Sequence, residues 1–504
     1  MKRTIAIFLA LVMVFALCGC ESKADRYYAK GMQDLSAKDY EAAFDDFSTA
    51  RESGNADATY HLGRFYEKGY YVQKNLEIAR AYYEEAAYNG IGDAMTSYGR
   101  FYLFGICGNR DYSEALKWFN KALDSGCEDA NAYIGYMYEF GFGVEKNYSK
   151  AFELFSKASR YSSGFAMCGL GDIYCFGRGT DVDYAEAREW YDMALSAGYA
   201  GAAARIGDMY TYGNGTDVDY DEAISWYQLG VYEGDSDSLT SLGSMYYHGY
   251  GVEMDNITAN GYFLQAAEMG NAAAMKFLGL QYERGYGVSQ DYAKAMEWYL
   301  KAAEGGDQIA TNNIGYLYEH GLGVTQDHGK AMAWYLRAAD MGNSSAMSNI
   351  GWMYANGYGV AQDFEKAFEW YIKAAERGNA TGMNDVGNAY RFGEGTEKDY
   401  AKAMEWYLKA AELGDTYAMN SIGMMYANGE GVKKSDETAH DWFLKAAEAG
   451  NIHGMYNVGF DYFYGEGVEK DYAKALEWFQ ACYDAGDQSD DVLEFIDACN
   501  KKLS

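Results

Sequence analysis

The chain has 504 residues and a net charge of −32, from 42 Lys and Arg against 74 Asp and Glu, which argues against the phosphate backbone of nucleic acid as a partner. It holds no proline, where a usual frequency of about 5% would give about 25, and this excludes collagen-like, proline-rich linker and mucin-like chains. With 49% hydrophobic residues, 59 Gly and 51 Tyr, it has too much apolar content for a disordered chain.

Residues 1–19 read as a signal peptide. Lys2 and Arg3 precede an uncharged apolar run from Ile5 to Leu17, too short to span a bilayer comfortably and flanked as secretory signals are. The tetrapeptide Leu17-Cys18-Gly19-Cys20 then resembles the lipobox of bacterial lipoproteins. That resemblance implies an acylated Cys20 as the first mature residue and residues 20–23 as a short tether. It also implies a membrane-anchored location at the bacterial cell envelope, facing the periplasm or the cell exterior.

A helical pair is expected over residues 24–54, on Tyr27, Gly31, Ala43, Phe47 and Ala50. After it, Gly recurs every 36 residues, from Gly63 through Gly99 to Gly459, and defines twelve repeats over residues 57–488 without an insertion. With this Gly as position zero, a small residue at −5, an aliphatic at −1 in all but one repeat and Tyr at +3 form one helical stripe. Gly at +6 in every repeat and at +8 in all but the first two ends that helix in a tight turn.

Position +12 is Asp, Asn or Ser throughout, the N-cap of a second helix, and Glu114, Glu186 and Glu222 at +15 are expected to complete capping boxes with Asp111, Asp183 and Asp219. Ala at +16 and an aromatic at +20 in all twelve repeats make the second stripe, and Gly at +27 closes that helix in eleven. Each repeat is therefore a pair of antiparallel helices of about twelve residues, and no strand is required. Ser489 to Lys502 reads as a terminal capping helix buried through Val492, Leu493 and Ile496.

Ala310, Ile314-Gly315, Tyr318, Gly321-x-Gly323-Val324, Asp327, Ala331, Trp334-Tyr335, Ala338-Ala339 and Gly342 carry a resemblance to the Sel-one-like repeat family of the tetratricopeptide superfamily. It covers residues 57–488, while residues 24–54 resemble a plain tetratricopeptide unit. The implied fold is all-α, an α-solenoid of antiparallel helix-pair repeats. The family's cysteine-rich members bridge nearly every repeat with a regularly spaced pair, a pattern this chain lacks.

No motif in the chain assembles a catalytic or metal site. The Gly-x-Gly turn follows a helix and lacks the third glycine of a nucleotide loop. Six His are scattered without zinc-ligand spacing, and Asp217 to Asp221 fails as a calcium loop because Glu222 stands where Gly is needed. The motifs of acylating serines are absent. The expectation is a protein that is not an enzyme, with no cofactor and no metal. Cys168 and Cys175 lie two helical turns apart, about 10 Å, beyond reach of each other. Cys482 and Cys499 could face one another across antiparallel helices, and a bridge between them is left open.

The positions −3, +1, +4 and +5 vary from repeat to repeat, and in tetratricopeptide-like solenoids the first helix lines the concave surface. The expected partner-binding residues are Tyr136, Phe140, Phe176, Tyr212, Tyr247, Tyr316, His320, Trp352, Asn356, Asn388, Phe392, Phe460 and Tyr464, with Glu139, Glu283 and Glu319 making the groove acidic. The leading expectation is a lipid-anchored scaffold that binds protein or peptide partners at the envelope. The alternative is a cell-wall-associated hydrolase or glycan-binding protein, since aromatic grooves also stack on sugars.

Overall fold

A computed structural model describes residues 22–108 and 110–504, and the expected signal peptide and Cys20 lie outside them. The described residues form 27 helices and no strand, an α-solenoid of tandem helix pairs. The contacts divide the chain into two units, one running up to Met275 with Tyr286–Val288, the other comprising Lys276–Gly285 and Ser289–Ser504.

One local plan recurs within each unit, and the Gly315 repeat shows it. Asp307 caps the first helix, Gln308–His320, by accepting from the Ala310 N–H at 2.7 Å. The helix ends on Gly321 at φ +67°, a left-handed conformation that a side chain disfavours. The loop folds back, so that the Asp327 N–H donates to the Tyr318 carbonyl at 2.9 Å. The Asp327 carboxylate then caps the second helix, His328–Asp340, accepting from the Lys330 N–H at 2.9 Å. In the first two repeats Tyr71 and Cys107 hold the second left-handed position, at φ 61° and 59°, so the turn keeps its shape where glycine is missing.

The expected capping boxes are only half formed. Glu114, Glu186 and Glu222 donate their N–H groups to the Asp caps, but Asp111, Asp183 and Asp219 already use their own N–H on the tyrosine carbonyl at +3. The glutamates turn elsewhere: Glu114 pairs with Lys117, and Glu186 and Glu222 accept from the indole N–H of Trp190 and Trp226 at 3.0 Å.

The core of each unit is built from the aromatic at +20. Phe119, Phe155, Tyr191 and Tyr227 in the first unit, and Tyr299, Tyr335 and Tyr407 in the second, are almost wholly buried. Each lies flat over the glycine at position zero of its own repeat; a methyl group on Gly315 would stand 2.6 Å from the Tyr335 ring. In the first pair, Lys23–Ser36 and Tyr40–Glu52, Phe47 lies over Gly31 in the same way. Glycine at zero is thus a place for a ring.

The terminal helix spans Asp490–Leu503 and packs through Val492, Phe495, Ile496 and Cys499, with Phe495 stacked on Phe479 at 4.7 Å. Leu493, expected inside, is exposed, because Phe495 takes the inward position. Cys482 and Cys499 are both free and buried, so the bridge left open by the sequence is not formed. Cys168 and Cys175 are also free.

Gly315→Ala pushes a methyl group into a hydrogen-bonded ring and is expected to lower stability by about 1–3 kcal/mol. Gly261, inside the helix Asn256–Glu268, has open space where a side chain would stand, so Gly261→Ala is expected to raise stability by roughly 0.5–1 kcal/mol. Urea midpoints of the two variants should move in opposite directions.

Candidate functional site

A tyrosine over a glycine brings its hydroxyl into the interior, and a buried hydroxyl without a partner costs about 1–3 kcal/mol. Where +20 is Tyr, the first helix of the same repeat supplies an acceptor at +4 or +1. Tyr83 donates to Glu67 and Tyr335 to Glu319, while Tyr299 donates to Glu283 at 2.6 Å. From +1, Asp172 accepts from Tyr191 and Asp208 from Tyr227, both at 2.8 Å, and Asn388 accepts from Tyr407 at 2.7 Å. In four of the five repeats where +20 is Phe, position +4 carries Leu103, Tyr247, Ala427 or Phe463, none of them an anionic acceptor; the fifth carries Glu139.

Glu139, opposite Phe155, pairs instead with Arg178, which reaches back from the next repeat. Burial, with the charge of Asp172 adding to it, raises the Glu139 carboxyl to about 7.

This corrects the reading of the acidic residues. Glu139 and Glu319 are 2% and 7% exposed, and Glu283 is half-buried on a phenol, so the three are interior partners rather than groove carboxylates. Asn388 is likewise turned inward onto Tyr407. Tyr136 is half-buried among Phe104, Phe140, Phe142 and Phe165, Tyr247 packs on Phe263 and Tyr286, and Phe460 packs on Phe495. These four expected binding residues serve packing.

The others stand in solvent. In the first unit Phe140, Phe176 and Tyr212 are exposed on their first helices, and in the second unit so are Tyr316, His320, Trp352, Asn356, Phe392 and Tyr464. Some carry a cation from the chain itself. The Arg178 guanidinium lies 5.3 Å over Phe140 and 4.6 Å over Phe176, and Arg391 lies 5.1 Å over Phe392. On the second helices Lys301, Lys373 and Lys409 cover Trp298, Trp370 and Trp406 at 4.0 to 4.3 Å. Trp352 instead rests against Tyr358, centroids 5.0 Å apart.

Tyr371 breaks the acceptor rule. Its repeat offers Trp352 at +1 and Ala355 at +4, and the phenol, 8% exposed, makes no hydrogen bond to a described residue. A cavity of about 340 Å³ lies there, lined by Ala355, Asn356, Gln362, Phe364, Ala367, Phe368, Tyr371, Asp385, Asn388, Ala389 and Glu394. The Asp385 carboxyl is raised to about 7, first by burial and then by the charge of Asp415. Asn356 and Asn388, expected from the sequence as groove residues, line this cavity, and the sequence expectations do not include Tyr371, Asp385 and Glu394. The signal was available in the pairing of a +20 tyrosine with an acceptor at +1 or +4, which fails only where Tyr371 meets Trp352 and Ala355.

A carboxyl raised in the folded state contributes stability that is complete below its unfolded pKa, near 3.8, and is lost as pH rises through about 7. Asp385→Asn removes that loss. The variant is expected to gain on the order of 2 kcal/mol over the parent at pH 8, allowing for partial exposure, and little at pH 4, as read from urea unfolding at both values.

The profile described as Sel1 repeat matches twelve segments: residues 56–91, 92–127, 128–160, 164–199, 200–235, 236–271, 272–307, 308–343, 344–379, 380–415, 416–451 and 452–487. The chain belongs to the Sel1 repeat family. Among solved structures it is similar to a protective antigen of uropathogenic Escherichia coli strains displaying an SLR fold, at 33% identity over 84% of this chain and 91% of that one, with a TM-score of 0.49. It is also similar to a Sel1 repeat protein from Oxalobacter formigenes, at 32% identity over 48% of this chain and 96% of that one, with a TM-score of 0.44. No curated protein matches the chain.

Proposed function

We propose that this chain is a lipid-anchored, non-enzymatic scaffold of a bacterial cell envelope that binds protein partners through the exposed rings of its first helices. Sel1 repeat proteins are in general protein-interaction scaffolds, which supports the class. The observation that carries the reading is the set of rings the fold leaves in solvent: Phe176 and Tyr212 in one unit, and Tyr316, Trp352, Phe392 and Tyr464 in the other. They sit on first-helix positions that pack nothing in common from repeat to repeat. Large rings immobilised on helices give contact area at low entropic cost. Anchoring and the envelope location rest on the lipobox resemblance at Leu17 to Cys20.

Two measurements test this. Crosslinking in intact cells should capture a partner that binds at least about tenfold more weakly to a Tyr212→Ala, Trp352→Ala, Phe392→Ala triple variant with an unchanged unfolding midpoint. Retention of every partner at parental affinity would refute the ring face. Cys20→Ser should move the protein from the membrane fraction to the soluble one, and unaltered fractionation would remove the anchor.

A further inference from the structure

We infer that the cavity beside Tyr371 is a socket for an arginine side chain presented by a protein partner, held by the Asp385 and Glu394 carboxylates and the Tyr371 phenol. The inference rests on the partner-binding reading above and names what one repeat recognises.

The two preceding repeats supply the reference. In them the Gln290 and Gln326 amides donate to the carbonyls of Glu283 and Glu319 at 2.8 Å, and Gln362 donates to the Ala355 carbonyl at 2.7 Å. The loop is the same in all three, so what Ala355 removes is the carboxylate side chain that fills the space under the phenol. The volume left, about 340 Å³, lies within the range of ligand pockets, roughly 300–1,000 Å³.

The following repeat shows what could fill it. There Arg391 stands at +4, beside the Tyr407 phenol whose own bond goes to Asn388 at 2.7 Å, and donates through Nε to Glu430 at 2.7 Å, 39 residues ahead. Arg178 and Glu139 make the same 39-residue pair with the charges reversed. Ala355 and Glu394 occupy the matching positions. The phenol is present as Tyr371 and the carboxylate as Glu394, but the arginine between them is missing. Asp385 adds a second carboxylate with no ion pair among the described residues. Ala427 and Glu466 repeat the mismatch, but over Phe443 no phenol is orphaned there.

The Tyr371 oxygen, Asp385 and the exposed Glu394 can each accept a hydrogen bond, which suits a donor-only cation, and a guanidinium carries five N–H donors in a planar fork. Phe364 lines the cavity and is 37% exposed, so it offers a ring for that plane. Arg178 and Arg391 bind this chain's own carboxylates against rings in the same manner.

The test titrates the full chain with N-acetyl-arginine amide, its citrulline and lysine analogues, and free L-arginine, at constant ionic strength, by ligand-observed NMR. The arginine amide is expected to bind with a dissociation constant on the order of 1 mM or tighter, and at least about tenfold better than the neutral citrulline analogue. The lysine amide should be weaker, because it lacks the planar fork. Ala355→Glu refills the space as Glu319 does, and should raise the unfolding midpoint while abolishing binding.

Tyr371→Phe and Asp385→Asn should each weaken binding by about tenfold, and they serve if Ala355→Glu does not fold. Absence of arginine binding, equal binding of citrulline, or binding unaffected by these variants would overturn the socket. Tighter binding of free L-arginine than of its amide would make this a site for a small amino acid rather than a partner's side chain. If the crosslinked partner still depends on Trp352 and Phe392 while the amide does not bind, the socket alone fails. If the amide binds but the triple variant keeps every partner, the ring face fails instead.

Discussion

The contact on which each repeat depends is an aromatic ring lying on a bare Cα. At position zero the two helices of a pair approach so closely that the ring at +20 occupies the place a side chain would take; with Gly171 and Tyr191, or Gly315 and Tyr335, no methyl group fits between them. Burying such a ring stabilises each pair by roughly 1.5–3 kcal/mol. The same close approach fixes the crossing of the helices. In the first pair Gly31 and Phe47 keep the contact with a connection four residues shorter, so the extra loop residues of the later repeats are separable from the packing they span.

Much of this was legible in the sequence, for a physical reason. Helix caps, left-handed glycines and apolar stripes are local, and thirty-six-residue copies average out the noise of any one of them. Asp327 as a cap and Gly321 as a terminator could be read directly. The terminal helix was placed to within a residue, while its inward face was misread: Phe495, not Leu493, turns in, because the ring of Phe479 ahead of it selects a flat partner.

The fate of the variable positions was harder to read. Position +4 lies one helical turn past the glycine at zero, so it shares the face that meets the second helix. That arithmetic places Glu139, Glu283 and Glu319 inside, although variation from repeat to repeat resembles the freedom of a surface position. In three repeats +4 answers +20 directly, Glu67, Glu283 and Glu319 accepting from the phenols of Tyr83, Tyr299 and Tyr335. Whether +1 or +4 supplies that acceptor, as Asn388 does for Tyr407 and Glu319 does for Tyr335, depends on side-chain reach between helices, which a helical stripe does not encode.

The same coupling gives the charge distribution its meaning. The chain is strongly acidic, yet Arg178, Arg205 and Arg391 are directed inward onto Glu139, Asp172 and Glu430. Ion pairs of this kind neutralise carboxylates that the interior could not otherwise hold. A repeat that keeps Asp385, Glu394 and Tyr371 but lacks the arginine presents a set of acceptors at a fixed position. Because the ring on Gly351 and the loop through Gln362 hold the surrounding backbone in register, the space does not close around Ala355. In an array of near-identical units, recognition can therefore arise by subtraction, with a partner supplying the group that a neighbouring repeat supplies for itself.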